Sequence, residues 1–158
     1  MAGFNPASIK ATLRAHGLSP SAPRVAIFAW LQTHHVHPTV DVIYRALRPK
    51  LKSLSRTTVY NVLHAFVEKG LANVVRSEDL ELRYDGLLSP HAHFKCTQCG
   101  AIIDLGAIPD TLAQAVGLPA EAKPTELAVL FRGICPACTI KRTADSEQRT
   151  AADATDKP

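Results

Sequence analysis

SRTTVYNVLHAFVEKG, residues 55–70, decides the fold. Ser55 is a residue type that caps a helix, and Gly70 is the type that closes one. Between them Val59, Leu63, Phe66 and Val67 recur at the i, i+4, i+7, i+8 spacing of one buried helical face. Thr57, Tyr60, Asn61 and His64 share another face, flanked by Arg56, and that face is polar, aromatic and short of acid. A plain amphipathic core helix accounts for the apolar face but not for the composition of the other.

Upstream, three more helices are expected. Asn5 followed by Pro6 starts one that runs to about His16 and stops at Gly17. A second begins near Ser21-Ala22-Pro23 and carries Val25, Ile27, Phe28, Trp30 and Leu31, and a third follows Thr39 with Val42, Ile43, Ala46 and Leu47. After Gly70 the pattern alternates, so residues 71–76 and 80–84 read as strands joined by the acidic turn Ser77-Glu78-Asp79. Three helices and a hairpin make a winged helix-turn-helix, here with an extra N-terminal helix. In such folds the last helix enters the major groove, where Tyr, Asn and Arg reach bases or phosphates.

Residues 85–90, with Gly86 and Ser89-Pro90, read as a hinge. Beyond it, 93–96 and 101–105 read as strands, 110–116 as a helix and 127–132 as a strand. The expected organisation is therefore α+β: a winged-helix DNA-binding domain over 1–84, the hinge, a small α/β zinc-stabilised domain over 91–140, and a disordered tail over 141–158. A second domain that small needs a metal, a disulfide or a partner subunit.

The whole chain of 158 residues is 46% hydrophobic and 20% charged, which excludes wholesale disorder. It shows neither a membrane-length apolar run nor a signal-peptide core, so a cytoplasmic protein is expected. The net charge of +4 is unevenly divided. Residues 1–84 hold 11 Lys/Arg against 5 Asp/Glu (+6), whereas residues 85–158 hold 7 against 9 (−2). A basic first half suits a polyanion, because each neutralised phosphate releases counterions.

The four cysteines fall as Cys96-Thr97-Gln98-Cys99 and Cys135-Pro136-Ala137-Cys138, a closed thiolate set for structural Zn2+. Redox chemistry at a single C-x-x-C is the rival reading, and two pairs flanking one small domain weigh against it. A second set gathers around the hinge: His37, Asp85, His91, His93 and Asp104. Alternate strand residues point to one side, so His91 and His93 can face a single ion, and nitrogen with carboxylate oxygen suits Fe2+, Mn2+ or Zn2+. The competing reading makes 34–37 a solvated loop and each aspartate a cap or surface charge. No H-E-x-x-H, Gly-rich phosphate loop or G-x-S-x-G occurs, which argues against an enzyme.

Together these stretches resemble the ferric uptake regulator family over about residues 5–140. The resemblance rests on GLSPSAPR (17–24), HPTVDVIY (37–44), SRTTVY (55–60), RYD (83–85), HAHFKCTQCG (91–100) and CPAC (135–138). It implies a homodimer that binds a palindromic double-stranded DNA operator when its regulatory metal is loaded. Arg56, Thr57, Tyr60, Asn61 and His64 are then the expected DNA surface, with Arg14 and Arg24 as phosphate contacts. Three histidines and two aspartates match the peroxide-responsive branch, in which Fe2+ or Mn2+ occupies the regulatory site. There, iron-driven oxidation of a ligand histidine, here His37 or His91, releases the repressor. An iron-responsive repressor released by metal loss is the alternative; that branch usually has glutamate at the carboxylate positions. An additional histidine site found in many relatives has no counterpart in residues 125–132.

Overall fold

The computed structural model describes residues 5–34, 36–75, 82–124 and 127–141. The chain forms two compact units, residues 1–89 and 90–158.

In the first unit, α1 (Pro6–Ala15), α2 (Ala22–Thr33), α3 (Val40–Leu47) and α4 (Arg56–Glu68) precede a hairpin of β1 (Asn73–Val75) and β2 (Arg83–Asp85). Every helix starts where a side-chain oxygen accepts an orphan amide: Asn5 from Ala7, Ser21 from Arg24, Thr39 from Val42 and Ser55 from Thr58. Helices α1 and α4 end alike. Gly17 (φ 74°) and Gly70 (φ 65°) adopt the left-handed conformation, and Leu18 N–H and Leu71 N–H donate back to Leu13 O and Phe66 O at 2.9 and 2.8 Å. Leu18 and Leu71 are thereby turned into the core.

That core comprises Ile9, Leu13, Ile27, Phe28, Leu31, Ile43, Val59, Leu63 and Phe66, among others, with Phe28 and Phe66 edge to face at 5.8 Å. Tyr84 closes it from β2, and its N–H donates to Pro38 O at 3.0 Å. Burial pushes the Tyr84 phenol up from its ordinary pKa.

The hairpin pairs Asn73 with Asp85, Val74 with Tyr84 and Val75 with Arg83, antiparallel. It is shorter than the expected strands; the acidic turn 77–79 lies outside the described residues, as do residues 142–158 of the tail. The stretch expected as a hinge begins inside β2. Asp85 Oδ1 accepts from Leu87 N–H at 2.8 Å, Gln32 Nε2 donates to Gly86 O at 3.0 Å and Asn73 Nδ2 to Leu87 O at 3.2 Å. Gly86 sits so close that a Cβ there would lie 2.9 Å from Leu31 O. Residues 85–87 are thus bonded into the first unit.

The second unit holds β3 (His91–Cys96), β4 (Ile102–Ala107), α5 (Leu112–Ala115) and β5 (Leu130–Gly133). The sheet order is β4-β3-β5, with β3 antiparallel to β4 and parallel to β5. Strand β3 begins two residues earlier than expected and so takes in His91. Helix α5 is a single turn rather than the seven residues expected, because Thr111 makes no side-chain cap and Gly117 (φ 71°) ends the run. Strand β5 starts at Leu130, where pairing with His93 sets the register. Residues 136–141 are helical.

Candidate metal centres and nucleic-acid face

The loop between β3 and β4 presents Cys96 and Cys99, with Gly100 (φ 71°) making its turn. Cys135 and Cys138 follow β5, beginning a turn in which Thr139 N–H donates to Cys135 O at 3.0 Å. The parallel pairing of Cys96 with Gly133 brings the two turns together. All four Sγ atoms lie within 4.8 Å of one another, and Cys99 and Cys135 are 3.8 Å apart. Tetrahedral ligation at a Zn–S distance of about 2.3 Å requires an S···S edge of about 3.8 Å. A disulfide needs about 2.05 Å, and all four cysteines are free thiols here.

The electrostatics point the same way. Cys96 accepts from the amides of Cys99 (3.5 Å) and Cys135 (3.3 Å), and those backbone donors hold its thiol down to about 6. Cys138 is pushed up to about 12, chiefly by the neighbouring Cys135 sulfur and then by burial. Sulfurs packed so closely cannot all ionise unless a cation offsets their repulsion, and Zn2+ fits the donors present.

The nitrogen and oxygen donors fall in two groups, one per unit. In the first, a His37 ring nitrogen and an Asp85 carboxylate oxygen lie within 4.8 Å. His37 has φ 46°, a left-handed conformation that costs a non-glycine residue roughly 1–3 kcal/mol. Arg83 Nη1 donates to His37 O at 3.4 Å, and Tyr84 pins Pro38 as described. In the second unit, His91 Nε2 and His93 Nε2 stand 3.2 and 3.6 Å from Asp104 Oδ1. The two rings are 4.4 Å apart, and the ladder shifts register between them. His93 sits opposite Asp104 across the β3–β4 pair, which puts imidazole and carboxylate on one face.

On α4, Thr57, Tyr60, Asn61 and His64 are all exposed, with Tyr60 and His64 rings 6.1 Å apart and His64 Nδ1 3.5 Å from Glu68. Arg14 is exposed on α1, whereas Arg24 is half-buried and donates to Ser19 O at 2.8 Å. Arg56 is engaged as well. Its Nε donates to Asp41 Oδ1 at 2.6 Å, and its guanidinium lies 4.5 Å over the Tyr44 ring. Asp41 also bridges to Arg45. The Asp41 carboxyl is held below the usual carboxylate range, first by its hydrogen bond from Arg56, and the Arg56 pKa is raised in return. Sequence reading did not single out Asp41, Tyr44 or Arg83; only the i, i+4 spacing of Asp41 and Arg45 was there to be read.

A winged-helix unit followed by a small four-thiolate unit is the organisation of a metal-responsive DNA-binding regulator. The model of the ferric uptake regulator family matches residues 15–114, and the chain belongs to that family. It is 33% identical over 135 residues to the peroxide operon regulator of Bacillus subtilis, covering 82% of this chain and 90% of that one. It is also 38% identical over 94 residues to the peroxide-responsive repressor PerR of Staphylococcus aureus, covering 60% of this chain and 64% of that relative. The Helicobacter pylori ferric uptake regulator shares the fold, with a TM-score of 0.70 at 23% identity over 87% of this chain and 95% of that one. The family and these relatives are transcriptional regulators, not enzymes. Among the described residues no helix is long and apolar enough to cross a membrane.

Proposed function

We propose that the chain is a metal-dependent repressor that binds palindromic operator DNA as a homodimer and is released by peroxide-driven oxidation of a ligand histidine. The observation that carries this reading is the donor chemistry. All four cysteines belong to one cluster, which leaves three imidazoles and two aspartates, His37, Asp85, His91, His93 and Asp104, for a regulatory ion. Hard oxygen and imidazole donors suit Fe2+ or Mn2+. The relatives named as peroxide regulators support the same branch.

The five residues are proposed as the ligand set of one regulatory ion, as the family resemblance implies. Such an ion would favour the DNA-binding state only by its differential affinity for that state. In it, α4 enters the major groove with Tyr60, Asn61 and Thr57 toward base edges and Arg56 and His64 beside the backbone. The homodimer is supported by an apolar row across the second unit's sheet. Phe94 pairs with Ile103 on one side and Phe131 on the other, and Ile103 and Phe131 are 40% and 55% exposed. A self-complementary two-fold contact covers such a row.

Fe2+ held by these residues would catalyse cleavage of hydrogen peroxide, which Mn2+ would not, the two electrons coming overall from the imidazole that is oxidised. The ring of His37 or His91 gains one oxygen at carbon, and the peroxide's other oxygen leaves as water. A 2-oxo-histidine is a poorer ligand, so the metal is lost and DNA is released. Peptide mass spectrometry tests this: after micromolar peroxide, the iron form gains one oxygen on a peptide containing His37 or His91, and the manganese form does not. Oxidation confined to the cysteines overturns it in favour of thiol sensing.

A further inference from the structure

Beside the α4 face lies a depression of about 480 Å³ lined by Tyr44, Arg45, Arg48, Pro49 and Lys52. We propose that it is a seat for the DNA phosphodiester backbone, extending the footprint beyond α4; the inference rests on the operator-binding reading above. Three of its five lining residues are cations and none is acidic. Between Asp41 and Glu68 the chain holds Arg45, Arg48, Lys50, Lys52 and Arg56 without one acidic residue. Asp41 engages Arg45 and Arg56, while among the described residues neither Arg48 nor Lys52 is ion-paired.

Helix stability alone does not account for this charge. Arg45 in the last turn of α3 and Arg48 at its C-cap offset the helix dipole, an effect that fades within a turn and does not reach Lys50 or Lys52. The depression is open, and Arg48, Pro49 and Lys52 are exposed, whereas a small-ligand site encloses most of its ligand. An extended polyanion fits this surface better. Tyr44 also joins the depression to the recognition helix, since its ring is the one beneath the Arg56 guanidinium. A strand whose bases meet α4 therefore finds the next cations in line at Arg48 and Lys52.

The test is DNA affinity of the manganese-loaded full chain by fluorescence anisotropy, from about 50 to 200 mM salt. Two duplexes are used, one of random sequence and one enriched by the wild-type protein from a random pool. The double variant Arg48→Ala/Lys52→Ala is expected to flatten the slope of log K against log salt by about 0.9 per lost contact, about 1.8 per protomer. It keeps the wild-type preference between duplexes, because phosphate contacts carry no base information. The charge-matched variant Lys123→Ala/Lys141→Ala keeps the wild-type slope, and Arg48→Lys keeps it as well. An unchanged slope in the double variant, or equal flattening in the charge-matched one, overturns the seat and leaves operator binding standing. A wild-type chain that binds neither duplex overturns operator binding and the seat together.

Discussion

Removing zinc is expected to unfold the second unit and leave the first intact. Among the described residues the second unit's buried apolar side chains are Ala92 and Ile102, apart from the cysteines themselves. Burying those two is worth roughly 3 kcal/mol. A structural zinc in a comparably small domain contributes about 10–16 kcal/mol. The metal thus outweighs the apolar core several-fold, and a sheet of three short strands does not persist without it. The first unit contains no cysteine, and its buried cluster of 16 residues needs no ion. Amide hydrogen exchange on chelator-treated, reduced protein reads this directly. The amides that bond His93 to Val129, Cys96 to Ala101 and Thr97 to Gly133 are expected to lose protection, while those of α1, α2 and α4 keep theirs. Limited proteolysis is expected to leave a resistant fragment ending near residue 89. Retained protection in β3, with zinc shown absent by elemental analysis, refutes the reasoning.

Three further outcomes follow from the geometry. Leu63→Ala empties a fully buried site in the first core and is expected to cost about 2–5 kcal/mol in urea unfolding with little change in slope; a cost below about 1 kcal/mol contradicts the packing. Phe131→Asp is expected to shift sedimentation from dimer to monomer while the circular dichroism spectrum stays wild-type, since Phe131 is 55% exposed; an unshifted dimer places the interface elsewhere. Because Arg56 lowers the Asp41 carboxyl, the stabilisation from this pair is fully present above the unfolded value of about 3.9 and is lost as pH falls through the lower folded value. An NMR titration of Asp41 is expected to show that lowered midpoint, with Asp41→Asn freeing Arg56; a midpoint at or above about 3.9 removes the pair from the account.

Much of this was legible because local rules agreed with the fold. Ser55 and Gly70 bound α4 in sequence as in structure, and Asn5, Ser21 and Thr39 cap the helices where expected. The two C-x-x-C pairs announced the sulfur cluster because thiolate spacing is itself a geometric constraint. Other features depend on partners that a one-dimensional pattern does not contain. The start of β5 is set by its parallel pairing with β3, and α5 shrank because Leu112, Ala115 and Val116 lack a capping side chain ahead of them. The left-handed backbone of His37 has no sequence signal; Arg83 and Tyr84 hold it from 46 residues away and from the adjoining Pro38. Arg56 read as a free DNA contact because Asp41 lies fifteen residues earlier, on another helix.

The central claim is that a metal site of histidine and aspartate makes DNA binding sensitive to peroxide. Titrating operator DNA with iron-loaded and manganese-loaded protein, each with and without micromolar peroxide, tests it most directly. The account predicts that peroxide abolishes binding by the iron form and leaves the manganese form unchanged. Release by chelation alone, with the iron form indifferent to peroxide, would contradict it and identify a metal-availability sensor.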